Sequence, residues 1–323
     1  MLLDLSGYTL SGKTAVIDLL REFDGCSVPD KEFEFGLLRM KDGLFDLEHA
    51  LVNDWSPIRS DAAVRKFRNL IYLLSSEYKK YSFKWLLSPS GYNYRKQVNE
   101  NFFFISKHYL DSLVSDYEDV YWPFALHDDG AFECARSKFL YLFSRNKIQT
   151  HRKIIAKGER FYKLTQNYLS ELLENNDPSA IYVLHNSLEP YRANDASRFF
   201  KNGKCIVIDR DPRVIYATSL KSPYAGYKSV HSFIEQFNFT RSKAKFSSDC
   251  VLKVNLENLI YNYDNELLSI KNFVGLDNEQ HKRKKQYFNP EISKKYAEEW
   301  KFLLSRQDVA LIEEKLEKFC FEF

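Results

Sequence analysis

The chain lacks any apolar run near the roughly 18 residues that a membrane-crossing helix needs. Its longest aromatic block, Phe102 to Ile105, is far shorter. No basic stretch precedes the few apolar residues at the N-terminus, and Gly7 follows almost at once, so no secretory leader is expected. The mature chain is expected to begin at Met1 and to stay in the cytoplasm. Cysteine is scarce: Cys26, Cys134, Cys205, Cys250 and Cys320 are odd in number, widely spaced and never paired as C-x-x-C. That pattern excludes a disulfide framework and a zinc site and predicts buried, reduced thiols. A surplus of one charge is also missing, with 47 Lys+Arg against 44 Asp+Glu for a net of +3, so charge gives no argument for a nucleic-acid partner. The densest basic cluster, His281 to Lys285, reads as a solvated face rather than a phosphate site. There is no internal repeat and no low-complexity tract.

What is present is core material. Of 323 residues, 44% are hydrophobic and 16% aromatic, which rules out wholesale disorder. The run Met1 to Leu5 predicts a buried strand that stops at Ser6-Gly7. A helix is predicted over 13–23, because Ala15, Val16, Leu19, Leu20 and Phe23 share one face at a 3.6-residue spacing. The same alternation returns later, with strands at 181–184, 205–208 and 251–254 and helices at about 190–200 and 214–221. Strands alternating with helices predict an α/β, three-layer fold with a central parallel sheet. The stretch between, about 36–176, differs: it is rich in Tyr, Phe and Trp and has helical stripes such as Val64, Phe67, Leu70, Ile71 and Leu74. It is expected to be a large helical insertion within a single domain spanning 1–323, ending at the break before Pro178. The C-terminal part is predicted to be helical, with one helix stopping at Gly275 and another over 307–319.

The sharpest chemical signal is Gly7-Tyr8-Thr9-Leu10-Ser11-Gly12-Lys13-Thr14, which fits G-x-x-x-x-G-K-[ST] in full between a predicted strand and helix. Its glycines let successive backbone N–H groups point inward, and the helix N-terminus adds about half a positive charge. The loop is therefore expected to hold a phosphate, with Lys13 a mobile cation for the transferring group and Thr14 a hydroxyl. The second signal is Cys205 to Arg213, CIVIDRDPR. Charged residues that follow four apolar ones emerge at the carboxyl edge of the sheet, where open α/β folds bind ligands. Arg210 and Arg213 can each fork onto phosphate oxygens, while Asp209 could instead hold Mg²⁺, as in nucleotide hydrolases and kinases.

These residues resemble the sulfotransferases that use phosphoadenosine phosphosulfate (PAPS). Members have a P-loop-like strand, loop and helix with a Ser-Gly core, here Ser11-Gly12, that grips the 5′-phosphosulfate. They also have an Arg at a strand end and a Ser eight residues later for the 3′-phosphate. Here R-D-P-R occupies 210–213, and the eight-residue step from Arg210 reaches Thr218, with Ser219 next. The segments 251–260 and 272–277 are similar to the family's strand, E-x-L helix and F-L-G-L ending. The resemblance covers 1–35 and about 181–277. Leu10 stands where many members have a basic residue and Val214 where Asp is usual, so the donor stays open between PAPS and ATP. Two arginines within four residues of Asp209 would compete for its carboxylate, and a sulfuryl group carries less charge than a phosphoryl group. Metal-free transfer of sulfate by Lys and Arg is therefore the expectation.

His185 follows the 181–184 strand at the same sheet edge, and an imidazole with a pKa near 6.5 suits acceptance of a hydroxyl proton. It matches in position the catalytic His of some members. Members acting on polysaccharides use a Glu roughly twenty residues beyond the loop, and Glu32 and Glu34 fit that place. The resemblance implies a hydroxyl or amine acceptor, with a carbohydrate expected. Two other readings stay open: an ATP- and Mg²⁺-dependent small-molecule kinase, and a P-loop switch without transfer chemistry. Trp85, Tyr92, Tyr94 and the run 101–104 could stack on sugar rings, but aromatic stripes are expected mostly to form core.

Overall fold

The computed structural model describes residues 1–30, 33–77, 81–87, 92–120, 131–143, 151–173, 180–223, 226–247 and 249–323. The break at Pro178 lies outside them. The described residues form seven strands: β1 (Leu2–Gly7), β2 (Cys26–Ser27), β3 (Val114–Val120), β4 (His151–Ala156), β5 (Ile181–His185), β6 (Lys204–Asp209) and β7 (Val251–Asn255). Two compact units contain them, Met1–Leu38 with Glu174–Phe323, and Arg39–Leu173.

In the first unit, five strands make a parallel sheet in the order β2-β5-β1-β6-β7. β1 is buried at every position, and β5 likewise, as expected of central strands covered on both faces. Leu3, Leu5, Ile206, Ile208 and Val254 point to one face, where Val16, Ile17 and Leu20 of the helix Lys13–Arg21 join Leu259 and Ile270 in a common core. Asp4 and Ser6 turn to the other face. Asp4 is fully buried, and its carboxylate accepts from the Ser187 N–H (2.9 Å), the Ser187 hydroxyl (2.5 Å) and the Leu188 N–H (3.1 Å). The Ser6 hydroxyl donates to the Leu188 carbonyl at 2.6 Å. A charge so deep needs this many donors, and together they pin the turn that follows β5.

The basic run His281 to Lys285 is the expected solvated face in its lysines, with Lys282, Lys284 and Lys285 exposed and Arg283 half-buried, while its backbone and the buried His281 take on a second task. Glu22 is fully buried and accepts from His281 Nε2 at 2.8 Å and from the N–H groups of Lys285, Tyr287 and Phe288 at 2.9–3.0 Å. His281 stacks on Phe23 with ring centroids 4.2 Å apart. The run thus closes over a buried carboxylate at the end of the first helix. All five thiols are free; Cys205 is buried as expected, whereas Cys26, Cys134, Cys250 and Cys320 are only half-buried. The last helix spans Arg306–Leu316 and the one before Gly275 spans Tyr263–Val274.

In the second unit, the expected apolar stripe lies on the helix Pro57–Ser75, where Val64, Phe67, Ile71 and Leu74 are buried. Tyr109 and Tyr168 stack at 4.4 Å, with their hydroxyls bonded to Thr165 and Ser106. Tyr94 and Phe102 are fully buried and meet edge-on, whereas Tyr92 and Phe104 are exposed. The antiparallel pair β3–β4 was not anticipated. Among the described residues, no helix is long and apolar enough to cross a membrane.

Candidate active site

The strand order places β1 between β5 and β6, with Leu5 beside His185 and Gly7 beside Ile208. All three strands end at one edge. The loop leaving β1 therefore opens between His185 on one side and Asp209-Arg210 on the other, the crevice where α/β sheets hold ligands.

The loop's shape follows from its small residues. Gly12 has φ 82°, and a Cβ there would sit 2.4 Å from Leu256 Cδ2, so both conformation and space require glycine. A Cβ on Gly7 would fall 2.5 Å from Ser11 Oγ and 2.8 Å from the Ile208 carbonyl oxygen. The Ser11 N–H closes a turn onto the Tyr8 carbonyl at 3.1 Å. Ser11 is fully buried, and its hydroxyl has no partner among the described residues, the kind of group that a bound phosphate oxygen satisfies. Lys13 donates to the carbonyls of Gly7 (3.2 Å) and Tyr8 (3.4 Å). Thr9 and Thr14 are exposed, and Leu10 has φ 62°. The first turn of the following helix carries no acidic residue, so its positive end is left to an incoming anion.

At the end of β6 the acidic and basic residues sort themselves. Asp209 is gripped bidentately by Arg241, through Nε at 3.0 Å and Nη2 at 2.5 Å. That guanidinium is nearly buried between the rings of Tyr8 and Phe237. Burial, with the charge of Asp209 adding and Arg241 opposing, pushes the Tyr8 hydroxyl up to about 12. Arg210 is different: its Nε lies 3.7 Å from Glu257 Oε1, and neither atom has a hydrogen-bond partner among the described residues. Burial, countered by Glu257, Asp211 and Glu299, lowers the Arg210 guanidinium from its ordinary value. Burial also raises Glu257 to about 7, against the Asp211 N–H bond and Arg210.

Arg213 was expected to fork onto phosphate, and the structure gives every one of its nitrogens an acceptor within the protein. Nε and Nη2 bind Asp211 at 3.0 and 2.7 Å, Nη1 binds Glu313 at 2.6 Å, and Nη2 also reaches the Phe321 carbonyl at 2.6 Å. The guanidinium lies 4.4 Å from the Trp300 ring centroid. It ties the R-D-P-R turn to the C-terminal segment. Thr218 and Ser219 sit on the helix Pro212–Lys221, and each hydroxyl donates back to that helix, to Val214 and Tyr216 respectively. The Thr218 oxygen keeps a lone pair and is half-buried; Ser219 is buried.

His185 closes β5 and is nearly buried. Its carbonyl accepts from the Phe35 N–H at 3.1 Å, which brings the acidic turn, with Glu34 half-buried beside Phe35, next to the histidine. Glu32 lies outside the described residues. Two residues carried no role in the sequence reading: Arg241 and Glu257. Glu257 was visible in the E-x-L segment, but nothing local marked it as the neighbour of Arg210. Among the described residues, no group of three or more His, Cys, Asp or Glu is arranged to hold a metal ion.

No family model matches the chain, and no curated protein matches it. Among solved structures it is similar to the sulfotransferase domain from the Synechococcus PCC 7002 olefin synthase, at 12% identity over 100% of this chain and 95% of that one, with a TM-score of 0.42. It is also similar to the sulfotransferase domain from the curacin biosynthetic pathway, at 10% identity over 98% and 97% of the two chains, with a TM-score of 0.41. Sulfotransferase STF9 from Mycobacterium avium gives 11% identity over 99% of this chain and 77% of that one, with a TM-score of 0.37. Likeness at this level leaves the site to be read from the chain's own geometry.

Proposed function

We propose that the chain is a cytoplasmic sulfotransferase that moves a sulfuryl group from PAPS to a hydroxyl or amine of an acceptor, a carbohydrate by the resemblance of its motifs. The observation that carries the proposal is the division of labour at the end of β6. The carboxylate that a Mg²⁺-dependent kinase would need, Asp209, is bound on two oxygens by Arg241. The adjacent Arg210 has an unpartnered Nε, one strand from a phosphate loop with an unpartnered Ser11 hydroxyl. Cations and N–H donors, with Asp209 taken up by Arg241 and the Glu257 carboxylate standing off Arg210 at 3.7 Å, suit a donor held without metal.

PAPS supplies an activated sulfuryl group on its 5′-phosphate. The loop N–H groups, Ser11 and Lys13 would hold that end, and Lys13 would stabilise the charge gathering on the leaving phosphate. Arg210 and Thr218 would hold the 3′-phosphate. His185, on the other flank of the loop, would take the acceptor's proton, with the acidic turn of Glu32 and Glu34 as the competing base.

Thermal stabilisation tests the donor, because a ligand that binds only the folded chain raises stability by RT ln(1 + [L]/Kd). Adenosine 3′,5′-bisphosphate should stabilise equally with and without Mg²⁺. Stabilisation by ATP only with Mg²⁺, and none by the bisphosphate, would assign the chain to the kinases. Slow hydrolysis without any acceptor would mark a switch. For the base, His185→Ala should lower turnover by about 10²- to 10⁴-fold while leaving donor affinity nearly intact. Retained activity there, with loss in Glu34→Gln or Glu32→Gln, moves the role to the acidic turn.

A further inference from the structure

Glu257 is an unusual neighbour for an anion site. It is fully buried at the start of the helix Leu256–Tyr261, directly after the leucine that packs on Gly12 of the phosphate loop. One carboxyl oxygen accepts the Asp211 N–H at 3.0 Å. The other faces Arg210 Nε at 3.7 Å, too far for a hydrogen bond, and neither atom finds a partner elsewhere among the described residues. Two buried groups of opposite charge stand side by side with their best bond unmade.

We infer that Glu257 is the counter-acid of the anion site: when a phosphate or sulfate settles on Arg210, the Glu257 carboxylate takes up one proton from solvent, so that anion binding and proton uptake are a single coupled event. The inference rests on the reading of Arg210 as the ligand's phosphate grip. An arriving dianion would set a second negative charge beside a buried carboxylate, and like charges at one site cannot both be kept ionised cheaply in a low-dielectric interior. Protonation removes that repulsion, frees Arg210 from its acidic neighbour, and turns an acceptor oxygen into an O–H donor. The change lies within easy reach, because burial already holds the free Glu257 carboxyl at about 7.

The charged groups around Glu257 are held by partners of their own. Asp211, on the β6 turn, is locked to Arg213. Tyr261, on the same helix as Glu257, donates its hydroxyl to Glu298 and is raised above its ordinary range. Lys294 of the helix Pro290–Ala297 stands over the Tyr261 ring, and Glu299 acts on Arg210 from the segment beyond. Glu257 is the carboxyl that burial raises toward neutrality.

Calorimetric titration of the full chain in phosphate-free buffers of different ionisation enthalpy reads the protons directly. The two probes are adenosine 3′,5′-bisphosphate and inorganic sulfate, the second having no titration of its own near neutrality. For the parent chain at pH 7.5, sulfate binding should take up about half a proton or more, and affinity should fall by up to about tenfold per pH unit above pH 7. Glu257→Gln keeps an oxygen for the Asp211 N–H; it should show no uptake with sulfate and a flat affinity from pH 6.5 to 8.5, equal to or tighter than the parent at pH 8.5. The parent's own buffer dependence stands as a test even if the variant folds poorly. Bisphosphate binding with no Glu257-dependent uptake overturns the inference and leaves the sulfotransferase proposal intact. Proton-linked sulfate binding without any bisphosphate binding keeps the inference and removes the PAPS donor. Binding of neither probe overturns both.

Discussion

Arg210 and Arg213 stand three residues apart on one turn, carry the same side chain, and live in opposite circumstances. Arg213 is saturated, with two carboxylates, a backbone carbonyl and an aromatic face. Arg210 is nearly as buried, yet its Nε has no acceptor, and its carboxylate neighbour stands off at 3.7 Å. A saturated buried cation holds a fold together; an unsaturated one has an open donor, which the proposed function gives to an arriving anion. The lesson applies beyond this turn, since Asp209 and Glu22 are saturated acids while Glu257 and Ser11 hold open valences.

The contrast breaks first, if it breaks, at Arg213. Arg213→Ala leaves Asp211 buried without its cation, and removal of one partner of such a pair costs about 3–5 kcal/mol. The urea midpoint should fall accordingly, while Arg210→Ala should leave it far less changed; similar losses in both would erase the distinction. Next comes Glu257. Its carboxyl is raised in the folded chain from 4.5 to about 7, so the associated stability is fully present below the unfolded value and lost as pH rises through 7. Glu257→Gln should therefore be more stable than the parent at pH 8, by on the order of 3 kcal/mol, with the gap closing as pH falls toward 4.5. Denaturation curves at a series of pH values check the sign as well as the size.

Smaller effects sharpen the same division. Arg210→Ala should weaken adenosine 3′,5′-bisphosphate at least about tenfold, as a charge-assisted bond of about 1.5–3 kcal/mol implies, and adenosine 5′-monophosphate much less. Equal losses for the two ligands would return Arg210 to the fold. Smallest is Ser11→Ala. Deleting a buried hydroxyl that has no partner should leave stability unchanged or slightly higher, while weakening the bisphosphate by about fivefold, near 1 kcal/mol. A clear loss of stability would mean that the hydroxyl is already satisfied in the free chain.

Much of this was legible in the sequence because it is local. The strand, loop and helix at the N-terminus, the apolar strands with charged ends, and the helix stop at Gly275 are all written within a few neighbouring residues. Arg210 and Arg213 could not be told apart, because what separates them is distant: Glu313 and Phe321 lie 100 and 108 residues from Arg213. Arg241 was missed for the same reason, as its partner Asp209 is 32 residues away. The run at 281–285 is solvated in its lysines as its composition says, but its hold on Glu22 through His281 and the Lys285 N–H could not be read, because Glu22 is more than 250 residues earlier. The pair β3–β4 escaped for a different cause: β3, Val114–Val120, is almost wholly exposed and highly charged, without the apolar alternation that marks a strand.

Lys13 lies against the carbonyls of Gly7 and Tyr8, inside the loop that it is to serve. Neutral carbonyl oxygens hold an ammonium group more weakly than a phosphate does. If the loop grips a phosphate as proposed, a neutral nucleoside would leave the lysine where it rests and a phosphorylated one would draw it across. The resting contact would then work as a threshold on charge, with the loop sorting its visitors electrically before any part of the pocket has measured their shape.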